Sequence, residues 1–291
     1  MFGKLKYTQI SGKMEQLSKL KKLNTFWRIA KYLAFLLLII GGSLIPYFIA
    51  PTSDSEMNRL DMEIDKFEKN TATKLIVIND VVMDDSSNHH IYNLNSLSSV
   101  YKFIDYFNAI DETVTVNIII DTFGGSLMLH HMAINALLNH NGNKKFYVPR
   151  KACSGGTLAV LSGNELFMNK NAFLSPIDPQ LIPGDSMPLP AKYMMAESYH
   201  NGDKIMSKMA TDTMFSCKVF LEKLFESVCQ NKLVIPCKSK YDIQFQNIIK
   251  RHFFDGPYPH DHMFSVNDLK KMGFQINKIP NEILEIFNYI K

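Results

Sequence analysis

The order of hydrophobic and polar positions along the chain predicts an alternation of strands and helices. Four continuous apolar runs have the pattern of buried strands: 75–80, 115–121, 144–149 and 165–169. Apolar residues three or four positions apart predict amphipathic helices over 94–110 and 127–140, and a further apolar run predicts a helix over 157–163. Apolar strands that alternate with helices are typical of a parallel sheet covered by helices on both faces, so we predict an α/β fold.

The chain beyond the fourth predicted strand has a weaker pattern. Residues 169–190 are rich in proline and polar residues and are predicted to form a loop, whereas 191–251 is predicted to be mostly helical. A short helix that ends at Gly273 and a helical tail over 280–290 complete the predicted elements. Because no internal repeat interrupts this order, we assign residues 71–291 to one domain.

A charge-free apolar segment near the N-terminus, residues 32–50, has the length and composition of a membrane-spanning helix. A helix of about 20 apolar residues spans a bilayer, and this segment exceeds the usual apolar core of a cleaved signal peptide. A buried core helix is the other alternative. Residues 1–31 form a basic N-terminal segment with eight basic side chains and one acid. The positive-inside rule therefore predicts a transmembrane helix over 32–50 with the N-terminus in the cytoplasm, followed by a linker or short helix over 51–70.

Charge and cysteine content exclude several classes of function. The net charge of +4 comes from the basic N-terminal segment, so the main domain has no predicted nucleic-acid surface. The chain has no Cys-x-x-C pair, and the adjacent His89 and His90 lie in a polar loop, so we expect neither a metal site nor a cofactor. Cys229 and Cys237 either pair in an extracytoplasmic domain or remain buried thiols.

Two small-residue turns, each after a predicted strand, carry the candidate chemistry. We name Gly124-Gly125 the first glycine station and Ser154-Gly155-Gly156 the second glycine station. The carboxyl ends of the strands in an open α/β sheet form the crevice where ligands bind. One glycine N–H from each station, directed at the same point, would bind an oxyanion beside the Ser154 hydroxyl. This is an arrangement for acyl transfer.

Each turn on its own has a simpler interpretation. Ser154 is then a helix N-cap, and Gly124-Gly125 is an ordinary turn between a strand and a helix. Neither turn matches the glycine-rich patterns that bind phosphate. The residues alone leave both interpretations open.

A series of motifs resembles a known family. The motifs are DTFGG at 121–125, SGG at 154–156, ELFM at 165–168, SPIDPQL at 175–181 and a His-Asp turn at 259–262. The series resembles the serine dehydrogenase proteinase family, a relative of signal peptide peptidase A among the membrane serine proteases of the ClpP/crotonase fold. The resemblance covers residues 70–280. This chain departs from it at Phe123, where the family has proline, and at Ser175, where the family has glycine.

The resemblance implies a role for each matching residue. Ser154 would be the nucleophile, with the N–H groups of Gly125 and Gly155 as the oxyanion hole. Three further residues would contact the substrate: Gly124, Gly156 and Asp178. Asp178 is alternatively a turn-forming residue. Cys153 adjoins Ser154, but a glycine follows the serine, as the motif requires, so Ser154 is the expected nucleophile.

The sequence offers more than one candidate for the general base. His260 supported by Asp261 is one candidate, because histidine titrates near neutral pH. In the simpler interpretation, His260 braces the turn and Asp261 caps the following helix. Relatives of signal peptide peptidase A use a lysine downstream of the serine. That alternative has three candidates here: Lys208, Lys192 and Lys204.

We therefore expect a membrane-anchored serine endopeptidase that forms an acyl-enzyme on Ser154. A catalytically inactive scaffold of the same fold is the alternative. A third hypothesis is acyl-CoA chemistry, which is disfavoured because an extracytoplasmic site would meet little CoA. The expected partners are a peptide or protein substrate, the membrane through residues 32–50, and further copies of the chain, since the resemblance implies a homo-oligomer.

Overall fold

The computed structural model describes residues 54–80, 90–182, 187–195, 204–231, 233 and 242–290. The chain divides into two compact units, Met1–Ser55 and Glu56–Lys291, and the description below concerns the second. The predicted transmembrane segment at 32–50 lies outside the described residues. Within the ranges just given, none of the helices has both the length and the apolar character needed to cross a membrane.

The main sheet has six strands: β1 Lys74–Asn79, β2 Ile91–Tyr92, β3 Val116–Asp121, β4 Lys144–Val148, β6 Glu165–Met168 and β11 Ile276–Asn277. They are all parallel and lie in the order β11-β6-β4-β3-β1-β2. The four strands predicted from apolar runs are its four central strands, which confirms the parallel α/β prediction. The two edge strands, β2 and β11, have two residues each and are too short to leave a sequence pattern.

Five short strands lie outside the main sheet. They are β5 Lys151–Ala152, β7 Phe173–Leu174, β8 Gln180–Leu181, β9 Leu189–Pro190 and β10 Phe264–Ser265. β5, β7 and β10 form a three-stranded sheet, and β8 pairs with β9. Three of these strands fall within 169–190, so the loop predicted there contains short paired segments. Tertiary pairing creates them, since two residues carry no periodicity.

Besides a helical segment at 191–195, the described residues form eight α-helices. They are α1 Asp54–Thr71, α2 Leu97–Asn108, α3 Leu127–Asn139, α4 Gly155–Leu161, α5 Lys204–Gln230, α6 Ile243–Ile249, α7 Val266–Lys271 and α8 Asn281–Asn288. A π-helical turn, Lys250–Phe254, continues α6. The helices predicted at 94–110, 127–140, 157–163 and 280–290 are confirmed as α2, α3, α4 and α8. α4 begins two residues earlier than predicted, directly after Ser154.

The hydrophobic core lies on both faces of the main sheet, because alternate residues of each strand point to opposite faces. Ile118 and Ile120 of β3 pack with helices α2, α3, α4 and α5 on one face. Ile119 of the same strand packs with α1 and α8 on the other face, against residues such as Leu60 and Ile283. With both faces covered, the carboxyl edge of the sheet, where the two glycine stations lie, is left for function.

Candidate active site

Ser154 occupies a strained turn between β5 and α4. Its backbone has φ +50° and ψ −114°, an arrangement that costs a non-glycine residue about 1–3 kcal/mol. The surrounding hydrogen bonds hold it there: Cys153 N donates to Thr122 O at 3.0 Å, and Ser154 N donates to Ser175 Oγ at 2.9 Å. An ordinary N-cap serine has an extended backbone and a side chain that accepts a helix N–H. Ser154 has neither.

The two glycine stations meet in space. A bridge between Thr122 and Ala152 joins the chain segments that lead into them. Gly124 packs so closely on the second station that an added Cβ would lie 2.7 Å from Ser154 Cβ and 3.0 Å from Gly155 N. Gly124 also has φ +86°, so both the contact and the backbone require glycine. The expected convergence of the two stations is therefore what the structure has.

Hydrogen bonding separates the four glycine N–H groups of the stations into two pairs. Gly124 N donates to Thr122 Oγ1 at 2.9 Å, and Gly156 N donates to Cys153 O at 2.7 Å. The N–H groups of Gly125 and Gly155 donate to no acceptor among the described residues. These are the two donors that the family resemblance implies for an oxyanion. Gly124 and Gly156 support the turns instead.

A histidine–aspartate pair lies on the loops next to Ser154. His260 Nδ1 is 2.9 Å from Asp178 Oδ1, and the Asp178 side chain is 1% exposed. Ser175, which binds Ser154 N, is three residues before Asp178, a stretch that spans at most about 11 Å. Ile177 N donates to Phe253 O at 2.7 Å and ties this loop to the segment that leads to His260.

The identity of the aspartate partner corrects the expectation from sequence. His260 was expected to use its neighbour Asp261, but Asp261 is exposed and Asp178, 82 residues away in sequence, takes that place. Asp261 does not cap the next helix either, because Ser265 and Asp268 form the capping box of α7. Asp178 was expected to contact substrate, yet its carboxylate is buried against His260 and Gln180 Nε2. The geometry favours a supporting role for it.

The tautomer of His260 follows from this partner. An ionised carboxylate only accepts hydrogen bonds, so in the neutral form of the His260 ring the proton is on Nδ1 and the lone pair is on Nε2. A neutral imidazole with a free Nε2 can take a proton from a serine hydroxyl. The arrangement can therefore perform general-base chemistry.

The candidate lysines differ in their surroundings. Lys208 is exposed on α5 and forms a 2.6 Å ion pair with Asp212, whereas a lysine that acts as a general base is normally buried. Lys204 is exposed at the start of the same helix. Lys192 is half-buried and donates from Nζ to Gly256 O at 2.7 Å, four residues before His260. Lys192 is thus the lysine that competes with His260.

Two buried side chains, those of Cys153 and His130, lie beside the second glycine station. Burial raises the pKa of the Cys153 thiol, which keeps it protonated at neutral pH. His130 packs its ring on Gly155 and binds Ser126 O through Nδ1 at 3.0 Å. Burial lowers the pKa of His130, so the ring stays neutral. Its role is to fill the space behind the station.

Sequence reasoning missed the side chains that hold the turns. Thr122 and Ser175 each bond the backbone of a glycine station, and Asp80, directly after β1, accepts from Phe123 N, next to the first station. The only signal for Asp80 was its place at the end of a strand. No group of three metal-ligating side chains comes together in the described ranges.

The sequence profile of a family described as ClpP-like SDH-type serine proteinase matches residues 25–291. The chain belongs to this family. The match covers both glycine stations and the His260–Asp178 pair, and the family expected from the sequence motifs is confirmed.

Two uncharacterized proteins of Methanocaldococcus jannaschii are related to this SDH-type proteinase. MJ1495 is 28% identical over 197 residues, which is 64% of this chain and 64% of the relative. MJ0137 is 27% identical over 202 residues, which is 66% of this chain and 67% of the relative. The alignment thus spans just under two thirds of MJ1495.

Two solved structures of the 1510-N membrane-bound stomatin-specific protease are also similar. One is a lysine-to-alanine mutant in complex with a substrate peptide, with 14% identity, 73% of this chain and 79% of that chain covered, and a TM-score of 0.42. The other is a serine-to-alanine mutant, with 13% identity, coverage of 74% and 84%, and a TM-score of 0.42. The family assignment rests on the sequence match.

Proposed function

We propose that the protein is a membrane-anchored serine endopeptidase that cleaves peptide bonds through an acyl-enzyme on Ser154. One observation carries the proposal: a strained serine lies between two glycine N–H groups without acceptors, next to a loop that bears a histidine–aspartate pair. A strained backbone at a polar residue is retained where function requires it. Membership of a serine proteinase family supports the same chemistry.

The reaction follows from the roles of these groups. His260 Nε2 takes the proton of the Ser154 hydroxyl as Oγ bonds to the carbonyl carbon of the substrate. The carbonyl oxygen becomes an oxyanion that accepts the N–H groups of Gly125 and Gly155. His260 then gives its proton to the leaving amine as the C–N bond breaks. A water molecule, deprotonated by the same imidazole, hydrolyses the ester and frees Ser154.

Asp178 supports the charge that develops on His260. Its buried carboxylate binds Nδ1–H, holds the ring in the required tautomer and stabilises the imidazolium formed in each half-reaction. The carboxylate keeps a second partner, Gln180 Nε2 at 3.1 Å, so its own position is fixed. His260 is therefore the proposed base, ahead of Lys192.

The cellular position is part of the proposal. The apolar segment 32–50 and the basic residues before it support an anchor with the main domain outside the cytoplasm. Cys229 is disulfide-bonded, and disulfides persist in oxidising compartments, which supports the same side of the membrane. Cys237 lies outside the described residues. Protease protection of the full chain in sealed vesicles tests this orientation.

An active-site probe tests the chemistry. The full chain is treated with a fluorescent fluorophosphonate, and the rate of covalent labelling is measured in the wild type and in Ser154→Ala. Labelling that Ser154→Ala abolishes supports the proposal, and Ser216→Ala, an exposed serine on α5, is the matched control that keeps the wild-type rate. A folded wild type that does not react contradicts the proposal and favours the inactive scaffold.

A further inference from the structure

The turn of the first glycine station is held by side chains from two other segments. Asn95, between β2 and α2, binds the backbone on both sides of Gly125: its Nδ2 donates to Gly124 O at 2.8 Å, and its Oδ1 accepts from Ser126 N at 3.2 Å. An added Cβ on Gly125 would overlap the Asn95 amide. The side chain of Asn95 therefore lies directly against the glycine whose N–H is the proposed oxyanion donor.

The bond to Gly124 O fixes the direction of that N–H. Gly124 C=O and Gly125 N–H belong to one peptide unit, which is planar and trans, so the two groups point in opposite directions. When Asn95 Nδ2 holds the carbonyl on one side, the N–H is directed to the other side, away from Asn95. A hydrogen bond to the carbonyl also polarises the peptide and strengthens its N–H as a donor.

Asp80 fixes the rest of the turn. Its carboxylate accepts from Thr122 Oγ1 at 2.6 Å and from Phe123 N at 2.6 Å, and Thr122 Oγ1 in turn accepts from Gly124 N. Asn95 Nδ2 also lies 3.4 Å from Asp80 Oδ1. This network uses the Gly124 N–H inside the turn, so Gly125 N–H is the one left for a ligand. The carboxyl end of β1, next to β3, is what places Asp80 there.

We propose that Asn95 is a positioning residue that sets the direction of the Gly125 N–H for the oxyanion, with Asp80 holding the turn. The inference rests on the proposed serine peptidase function. It predicts that loss of the Asn95 amide nitrogen slows the attack of Ser154 on the carbonyl carbon of a substrate and on the phosphorus of a fluorophosphonate probe.

The test compares two isosteric substitutions in the full chain. Asn95→Asp keeps the oxygen that accepts from Ser126 N but replaces the Nδ2 donor with an oxygen that repels Gly124 O. Asn117→Asp is the matched control, because Asn117 is a buried asparagine near the amino end of β3, where it binds Tyr147 Oη at 2.9 Å and Thr73 Oγ1 at 2.7 Å. Fluorophosphonate labelling rates are measured across pH, and urea unfolding gives the folded fraction of each variant.

We expect Asn95→Asp to label about 10²-fold more slowly than the wild type at neutral pH, the loss typical of one oxyanion donor. Asp80→Asn, which keeps only one of two acceptor oxygens, should label about tenfold more slowly. Asn117→Asp should lose stability and keep the wild-type rate per folded molecule. If Asn95→Asp labels within about threefold of the wild type, the inference is wrong while the peptidase function stands. If the wild type itself does not label, the proposed function fails and the inference fails with it.

Discussion

Replacing Asp178 with asparagine distinguishes two possible roles of this residue: support of His260 in catalysis, or anchoring of the loop. Asparagine has the same shape, but it lacks the charge that stabilises a protonated His260, and its amide allows the other ring tautomer. Two unit charges about 4 Å apart attract by about 4 kcal/mol at the effective dielectric constant of about 20 that suits partly buried pairs. The His260 side chain is 31% exposed, so water screens part of this attraction. We expect a loss of about 3 kcal/mol of transition-state stabilisation, which is about 10²-fold in rate.

The assay for Asp178→Asn combines two measurements on one sample. Fluorophosphonate labelling gives the rate of serine attack, and thermal unfolding gives stability, which should change little because asparagine can still accept from Gln180 Nε2. Gln180→Ala is the matched control: it removes the second partner of Asp178 and leaves the bond to His260. A variant that loses stability but labels at the wild-type rate would refute the reasoning, since Asp178 would then be the turn-forming residue of the simpler interpretation.

Three further predictions concern the base, the strain and the pH dependence of stability. His260→Ala should abolish labelling and Lys192→Ala should leave it near the wild-type rate, as measured by the same probe. Ser154→Gly should be more stable than Ser154→Ala by about 1 kcal/mol in urea unfolding, because glycine adopts φ +50° without strain. Burial lowers the pKa of His131, which stacks on Phe220, to about 4, so the unfolded chain binds more protons below its ordinary pKa of 6.5. Stability should fall as the pH drops from 6.5 to about 4, and His131→Phe should reduce that slope.

Each of these predictions has a contrary outcome. Loss of labelling in Lys192→Ala with retention in His260→Ala would make the lysine the base. Equal stability of the glycine and alanine variants of Ser154 would mean that the backbone relaxes without cost. An unchanged slope in His131→Phe would assign the acid sensitivity to the other histidines whose pKa burial lowers, His130 and His140.

The sequence by itself determined the central strands, most of the helices and the position of the candidate nucleophile. These features are local: an apolar run of five or six residues or a period of three to four residues needs no distant partner to be recognised. The order of the two glycine stations also lies in the sequence, because parallel strands bring their carboxyl ends to one edge. Ser154, Gly125 and Gly155 could therefore be named from their places after predicted strands and from the family motifs.

Only the tertiary structure decided which side chains support His260 and the glycine stations. The partner of His260 is Asp178 instead of the adjacent Asp261, and the side chain that bonds the backbone on both sides of Gly125 is Asn95, which comes 30 positions earlier. Hydrogen bonds between loops depend on how the loops pack, and no periodicity records that packing. The directions of the Gly125 and Gly155 N–H groups likewise depend on backbone angles that glycine leaves open. The physical reason is the same in each case. The hydrophobic pattern within a segment determines a helix or strand, whereas the candidate site is formed by contacts between segments that are distant in sequence.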